Sequence, residues 1–376
     1  MQIVHLWDLP EDKVYVKIKD DIRYDFFKFV KINFGGAKKL SKLFSFRIDN
    51  SYIYNWKHGV RFLPLKTLNR FLSLMNIKDK TFYMDLISSN ISELKTPSKG
   101  GSVYDPKFPI KLSISLARIC GNLVGDGGIS SDGEDRYRAY YTNKSRDLAS
   151  NFKENVLSNF SKIKIQESVD KRYDTIKIKL PRIIGIILSA FFGFQNNELK
   201  HVPTSIKNSP KNIKAAFLGA LFDDEGSIDI NGRKISLGLT VKDILIDVKR
   251  MLNDFGVEAS KIAEITKSGN RKTFYNITIT GWWNFEKLKF MKLKHPLKSN
   301  QLKILITPNR YKLAAVTRNA IIKAIKSKSG VSVKDLSKEL NRPVENLKYY
   351  LRKFEKDKII KSLTAERNLK IYYAGN

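Results

Sequence analysis

Two stretches decide the fold: ICGNLVGDGGI at residues 119 to 129 and LGALFDDEGSI at 218 to 228. Each reads as an apolar helix rich in small residues that ends in a carboxylate followed by glycine. These are Asp126-Gly127 in the first and Glu225-Gly226 in the second. A carboxylate at the C-terminal end of a helix is disfavoured by the helix dipole. Two such placements at matched positions point to a task for the acids rather than to ordinary helix design.

The same order of elements follows each stretch. After the first come a strand at 136–142, a helix at 146–160, strands at 162–169 and 174–180, and an apolar helix at 182–193. After the second come a strand at 233–241, a helix at 242–255, strands at 260–266 and 273–280, and a helix at 282–291. The acids stand 99 residues apart, from 126 to 225, and the later elements keep nearly that offset. Two units of this size, about 110–208 and 209–306, can pack as a pseudo-dimer within one domain. Ala117, Cys120 and Gly121 match Ala216, Gly219 and Ala220 at i, i+3 and i+4. Such a stripe lets two helix backbones approach closely. Helices crossing there bring Asp126 and Glu225 together as a hard-oxygen site for Mg²⁺, a clamp for attacking and leaving phosphodiester oxygens.

On these residues, ICGNLVGDG and LGALFDDEG, the chain resembles the LAGLIDADG homing endonucleases in their single-chain, two-motif form. The resemblance covers roughly 110–306. It implies an α+β fold: a pseudo-symmetric, duplicated αββαββα-like domain with antiparallel, saddle-shaped sheets, present as a monomer with an internal two-fold. It further implies site-specific hydrolysis of double-stranded DNA, the activity behind intron homing, with Mg²⁺ or Mn²⁺ as cofactor. Asp126 and Glu225 are then catalytic and metal-binding acids, with Gly125 and Asp224 beside the metal. The family's lysine ahead of a Val/Ile-Pro step falls on Lys200 in LKHVP. In the second copy LKHPLKSNQ offers Lys298, with Lys294 as neighbour and Lys312 as a later candidate. A lysine there polarises water or stabilises phosphate charge. Glu225 replaces the commoner aspartate, and Val124 stands where Asp223 keeps an earlier acid of the signature.

Alternation in the strands gives each sheet one apolar and one polar face. Arg136, Arg138, Tyr140 and Thr142 share a face in the first strand. Lys162, Lys164 and Gln166 alternate with Ile163 and Ile165, and Lys177 and Lys179 with Ile176 and Ile178. Asn276, Thr278 and Thr280 alternate with Ile277 and Ile279. A twisted basic sheet of this composition can lie in a DNA major groove and read base edges.

Two flanking regions carry further DNA-binding signals. Residues 1–95 open with a strand, DKVYVKIKD, and continue as four short helical candidates that resemble a phage-repressor helix-turn-helix bundle. That resemblance turns Asn50, Ser51, Asn55 and Lys57 toward bases and Arg61 toward phosphate. Residues 96–109, with three prolines and two adjacent glycines, read as a linker. Residues 317–376 give three helices and a hairpin, and resemble a winged helix-turn-helix. Asn346, Lys348, Tyr349 and Arg352 fall on its recognition helix and Arg367 on its wing.

Composition bounds the partners. Across 376 residues the formal net charge is +32, which favours a polyanion, with double-stranded DNA first. No apolar run reaches a bilayer span, so no membrane is expected. One cysteine and four histidines exclude a disulfide framework and a zinc finger, and indicate a reducing compartment. The expected location is cytoplasmic, on the nucleoid in a prokaryote, with no small-molecule cofactor. The alternative reading is a non-cleaving DNA-binding transcriptional regulator on the same fold. RNA processing or RNA binding is a third reading that charge alone leaves open.

Overall fold

The two motif helices, Ile114–Val124 and Lys211–Glu225, lie against each other along their small-residue stripes. At Gly121 an added Cβ would stand 2.6 Å from the Phe217 carbonyl oxygen and 2.8 Å from Ala220 Cβ. No larger residue fits that approach without moving a backbone. The first helix is capped by Ser113, whose hydroxyl accepts the Leu116 N–H and in turn donates to Asn159. Pro210 opens the second. The computed structural model describes residues 3–44, 48–97, 100–130, 136–160, 162–194, 199–265, 273–307, 314–328, 330–365 and 369–375.

Each motif helix runs into a four-stranded antiparallel sheet, and the two sheets have the same topology. In the first the spatial order is Gln166–Asp170, Thr175–Lys179, Ala139–Asn143 and Gly127–Ile129. In the second it is Ala263–Ile265, Phe274–Thr280, Lys234–Leu239 and Gly226–Asp229. The short strands just after the motifs escape alternation analysis because each begins at glycine and spans at most four residues. Tyr141, Ile178, Ile235, Leu237, Ile277 and Ile279 point inward and are buried. Helices Arg146–Phe160 and Lys242–Asp254 cover these inward faces with Phe152, Val156, Leu245 and Val248. The fold is thus the duplicated α+β domain expected from the paired stretches.

The stretch 96–109 departs from its reading as a linker. Ser102–Tyr104 is a strand, paired with Ile91–Lys95 on one side and Lys162–Ile163 on the other. It belongs to a five-stranded sheet completed by Tyr15–Ile18 and Leu63–Pro64. Val103, Phe108 and Ile110 are buried, so these few apolar side chains outweigh the surrounding prolines and glycines. Ile3–Val4 pairs with Ile110–Lys111. The N-terminal region and the duplicated domain consequently share one apolar core, running from Val4 to Leu305.

Among the described residues, five α-helices cover the N-terminal region: Asp20–Phe34, Ala37–Phe44, Asn50–Lys57, Leu65–Ser73 and Ile77–Ser89. The fifth is missing from the sequence reading, although Asn76 caps it by accepting the Asp79 N–H. The C-terminal region has a separate core built on Ile321, Ile325, Leu336, Leu347, Leu351 and Phe354. Its helices are Ala314–Lys326, Val333–Leu340 and Val344–Lys356, followed by the hairpin Ile360–Ala365 and Leu369–Ala374. Val331–Ser332 adds a third strand, giving a winged-helix layout. Among the described residues no helix is long and apolar enough to cross a membrane.

Gly121→Val forces a branched side chain into the helix crossing. It should destabilise the chain by about 1–3 kcal/mol or more through overpacking. Urea unfolding checks this, with Ile119→Val as the comparison that leaves the crossing intact.

Candidate functional site

The crossing carries the two acids to one place. Asp126 follows the first helix and Glu225 ends the second. The negative charge of Asp126 acts on Glu225, and the ammonium of Lys298 acts on both. Burial raises both carboxyls above their ordinary range. For Glu225 the Asp126 charge adds to that rise; for each acid Lys298 opposes it. Asn143 Nδ2 donates to Asp126 Oδ2 at 2.7 Å, also holding the proton affinity down. Lys298 Nζ donates to the carbonyls of Phe222, Asp223 and Asp224 at the C-terminal end of the second helix. An ammonium there satisfies orphan carbonyls and complements the helix dipole. Burial lowers the Lys298 pKa, while Asp224, Asp223, Asp126 and Glu225 all raise it.

Beneath the acids lies a second, deeper layer. Asp224 accepts from Tyr141 OH at 2.7 Å and from Asn122 Nδ2 at 2.9 Å. Burial pushes its pKa up to about 8, against the effect of those two donors. Asp223 is buried and ion-paired with Arg118 of the other helix at 2.7 Å. Its carboxylate also accepts the backbone N–H groups of Lys294 and His295. The two halves are therefore unequal. Opposite Gly127 stands Tyr141, whereas opposite Gly226 stands Leu237. At position 125 a Cβ would lie 2.7 Å from Asp224 Cβ, so glycine in one copy makes room for the acid of the other.

Lys298 stands at the end of the second motif helix, with its ammonium on the backbone carbonyls of Phe222, Asp223 and Asp224. Lys200 is exposed beside His201, which faces Asp247 of the helix Lys242–Asp254. The offset of 99 therefore misaligned the lysines. Aligned on Pro203 and Pro296, Lys200 falls on Leu293, and Ser205 takes the place of Lys298. Asp224 lies in the deeper layer, where its carboxylate accepts from Tyr141 and Asn122 and its carbonyl from Lys298. Lys312 and Arg367 lie outside the described residues.

On the first sheet Tyr140 and Thr142 are registered with Lys179 and Lys177, and Gln166 pairs with Lys179. Arg138 donates to Gln166 at 2.9 Å, and Arg136 and Lys164 are exposed. Tyr140, Thr142, Lys177, Lys179 and Gln166 share one outer face of this sheet. Lys162 is a correction: it belongs to the five-stranded sheet and pairs with Asp105 at 3.2 Å. On the second sheet Thr280, Thr278 and Asn276 are registered with Lys234, Ser236 and Gly238. In the N-terminal region Asn50, Ser51 and Arg61 are exposed, Asn55 and Lys57 are half-buried, and Arg61 stacks over Tyr52. On the helix Val344–Lys356, Asn346, Tyr349 and Arg352 are exposed, and Lys348 pairs with Glu345 at 3.2 Å.

Sequence reasoning missed Asn143, Tyr141, Asn122 and Arg118. Asn143 left a trace, since it precedes a helix and its Oδ1 accepts the Ser145 N–H. Tyr141 sits in the inward register of its strand, where a buried hydroxyl must find a partner.

Among the described residues no group of three His, Cys, Asp or Glu side chains could hold a metal. The two carboxylates nonetheless suit Mg²⁺, which commonly binds one or two carboxylates and fills its shell with water and phosphate oxygens.

Residues 212–290 match the model of a LAGLIDADG-like domain, and residues 316–361 match a winged helix-turn-helix DNA-binding domain. The chain thus carries a LAGLIDADG-like domain joined to a winged helix-turn-helix. No curated protein sequence matches it. Among solved structures it is similar to the homing endonuclease I-DmoI, described in complex with DNA and Ca, at 18% identity and a TM-score of 0.40. That match covers 51% of this chain and 98% of the other. It is also similar to full-length DUF199/WhiA from Thermatoga maritima, at 15% identity and a TM-score of 0.39, over 65% of this chain and 90% of the other.

The buried Asp224 couples stability to pH. Its carboxyl ordinarily titrates near 3.8 and in the folded chain near 8, so the folded state holds an extra proton between those values. The associated stability is complete below the lower value and is lost as pH rises through the upper one. Asp224→Asn should flatten the fall of unfolding free energy between about pH 5 and pH 8. Urea titrations across that range measure the slope, and an unchanged slope would refute the burial argument.

Proposed function

We propose that this chain is a metal-dependent endonuclease of LAGLIDADG type that hydrolyses phosphodiester bonds in double-stranded DNA. One observation carries the reading: the two motif helices cross at Gly121, and Asp126 and Glu225, from separate copies, stand at their ends beside Lys298, whose ammonium holds the last carbonyls of the second helix. Neither acid is needed there to stabilise the helices, whose dipoles disfavour them.

In this reading the two outer sheet faces lie along the duplex, with the winged helix on flanking DNA. Asp126 and Glu225 would hold the ion, and Asn143 fixes the orientation of the Asp126 carboxylate. A bound Mg²⁺ or Mn²⁺ supplies Lewis-acid polarisation of the phosphate and a more acidic water. Lys298 keeps the paired acids ionised and adds positive charge beside the phosphate. The unlike surroundings of Asp126 and Glu225 give the two strands unequal cutting rates.

A specific observation favours a second reading, a DNA-binding regulator that does not cleave. The Lys298 ammonium already occupies the carbonyls at the end of the second helix, where it can stand in for a metal charge. The test starts from a site selected from a random DNA pool. With Mg²⁺ the chain should cut it, and Asp126→Asn or Glu225→Gln should each slow cutting by at least about 10²-fold while leaving binding intact. Unimpaired cutting by both variants contradicts the catalytic assignment. Tight, salt-sensitive binding with no cleavage in Mg²⁺ or Mn²⁺ would establish the regulator reading.

A further inference from the structure

A cavity of about 430 Å³ opens at the far end of the motif helices, away from the acids. Its wall includes Ala215 and Ala216 of the second motif helix, together with Phe255 and Phe290. The two phenyl rings are stacked, with centroids 3.7 Å apart and planes 16° from parallel. Lys211, Lys292 and Lys294 stand around this apolar floor, and the lining contains no acidic side chain. Lys211 Nζ lies 5.8 Å from the centre of the Phe255 ring. The lining's fourth cation, Arg118, is already neutralised by Asp223. The first copy fills the matching helix start with the hydrogen-bonded cluster of Ser113, Ser115 and Asn159.

Size and chemistry together select an occupant. Ligand pockets commonly measure about 300–1,000 Å³ and combine apolar walls with a few orienting polar groups. Three ammonium groups with no acid between them attract an anion, and a flat stacked floor favours an apolar ring system. We propose that this cavity binds a small amphipathic anion: an aromatic or similarly flat apolar body bearing a carboxylate, sulfonate or phosphate.

The same segment connects the cavity to the candidate site. Lys292 and Lys294 line the cavity, the backbone N–H of Lys294 binds Asp223, and Lys298 follows on the helix Pro296–Ile306. Buried Leu293 holds the segment between the two lysines. A ligand bound to Lys292 and Lys294 therefore restrains the chain that seats Lys298. Binding itself stands whether or not the acids cleave DNA.

The probe is 8-anilinonaphthalene-1-sulfonate, titrated into the full chain by fluorescence and calorimetry. One saturable site is expected. The double variant Lys292→Glu with Lys294→Glu should weaken it at least tenfold, and Ala215→Trp, which fills the cavity, should abolish it. The uncharged N-phenyl-1-naphthylamine should bind at least tenfold more weakly than the sulfonate. Circular dichroism identifies folded variants, and Lys356→Glu, on the winged helix, serves as the charge control. Equal binding by the folded double variant and the cavity-filled variant would overturn the site. Equal affinity for the neutral probe would overturn its preference for anions. Amide exchange at Lys294 and His295 should slow on binding, and unchanged exchange would overturn the link to Lys298.

Discussion

The close approach of two helices at Gly121 and Ala220 is the constraint on which the remaining structure depends. Side chains that small allow the backbones to meet, and the crossing sets where both helices end. Because each helix runs directly into the first strand of its own sheet, the crossing also fixes the two sheets relative to each other. The paired acids and the paired outer faces are consequences of one packing event. Packing of this kind is non-directional in energy but strict in shape, so a methyl group at the wrong place matters more than many surface charges.

Duplication did not produce equal halves. The second copy carries Asp223, Asp224 and Glu225 in sequence, where the first has Val124, Gly125 and Asp126. Near the axis there is room for one side chain of the pair at 125 and 224, and the second copy supplies it. Its carboxyl, pushed up to about 8 by burial, accepts from Tyr141 and Asn122 and so ties the first copy to the second. Asp223 makes the complementary link as a charged group, through Arg118. One buried acid has its proton affinity raised and the other is paired, which are the two ways of relieving the cost of burying charge. The acids nearer the surface have neither remedy in full and are left for a cation.

Much of this was legible from the chain. The repeated small-residue stripe and the carboxylate-glycine endings located the crossing and both acids, and period-two alternation located most of the outer sheet faces. Reading failed where a few side chains decide the outcome. Val103 and Phe108 place a strand and its flank in a stretch whose prolines and glycines suggest a linker. Counting a fixed offset equated Lys200 with Lys298, whereas the fold seats Lys298 on the carbonyls that end the second motif helix and leaves Lys200 exposed. Asn143 and Tyr141 act through hydrogen bonds to residues from 17 to 83 positions away, beyond the reach of any local pattern.

The central claim is that Asp126 and Glu225 form the two sides of one metal centre at the helix crossing. Iron-directed cleavage of the polypeptide tests it most directly: Fe²⁺ replaces Mg²⁺ in the DNA complex, and peroxide then cuts the backbone beside the ion. The account predicts two cuts, one around Gly125 to Gly127 and one around Asp224 to Gly226, both suppressed by excess Mg²⁺. Cuts confined to one motif, or lying elsewhere in the chain, would contradict a shared centre.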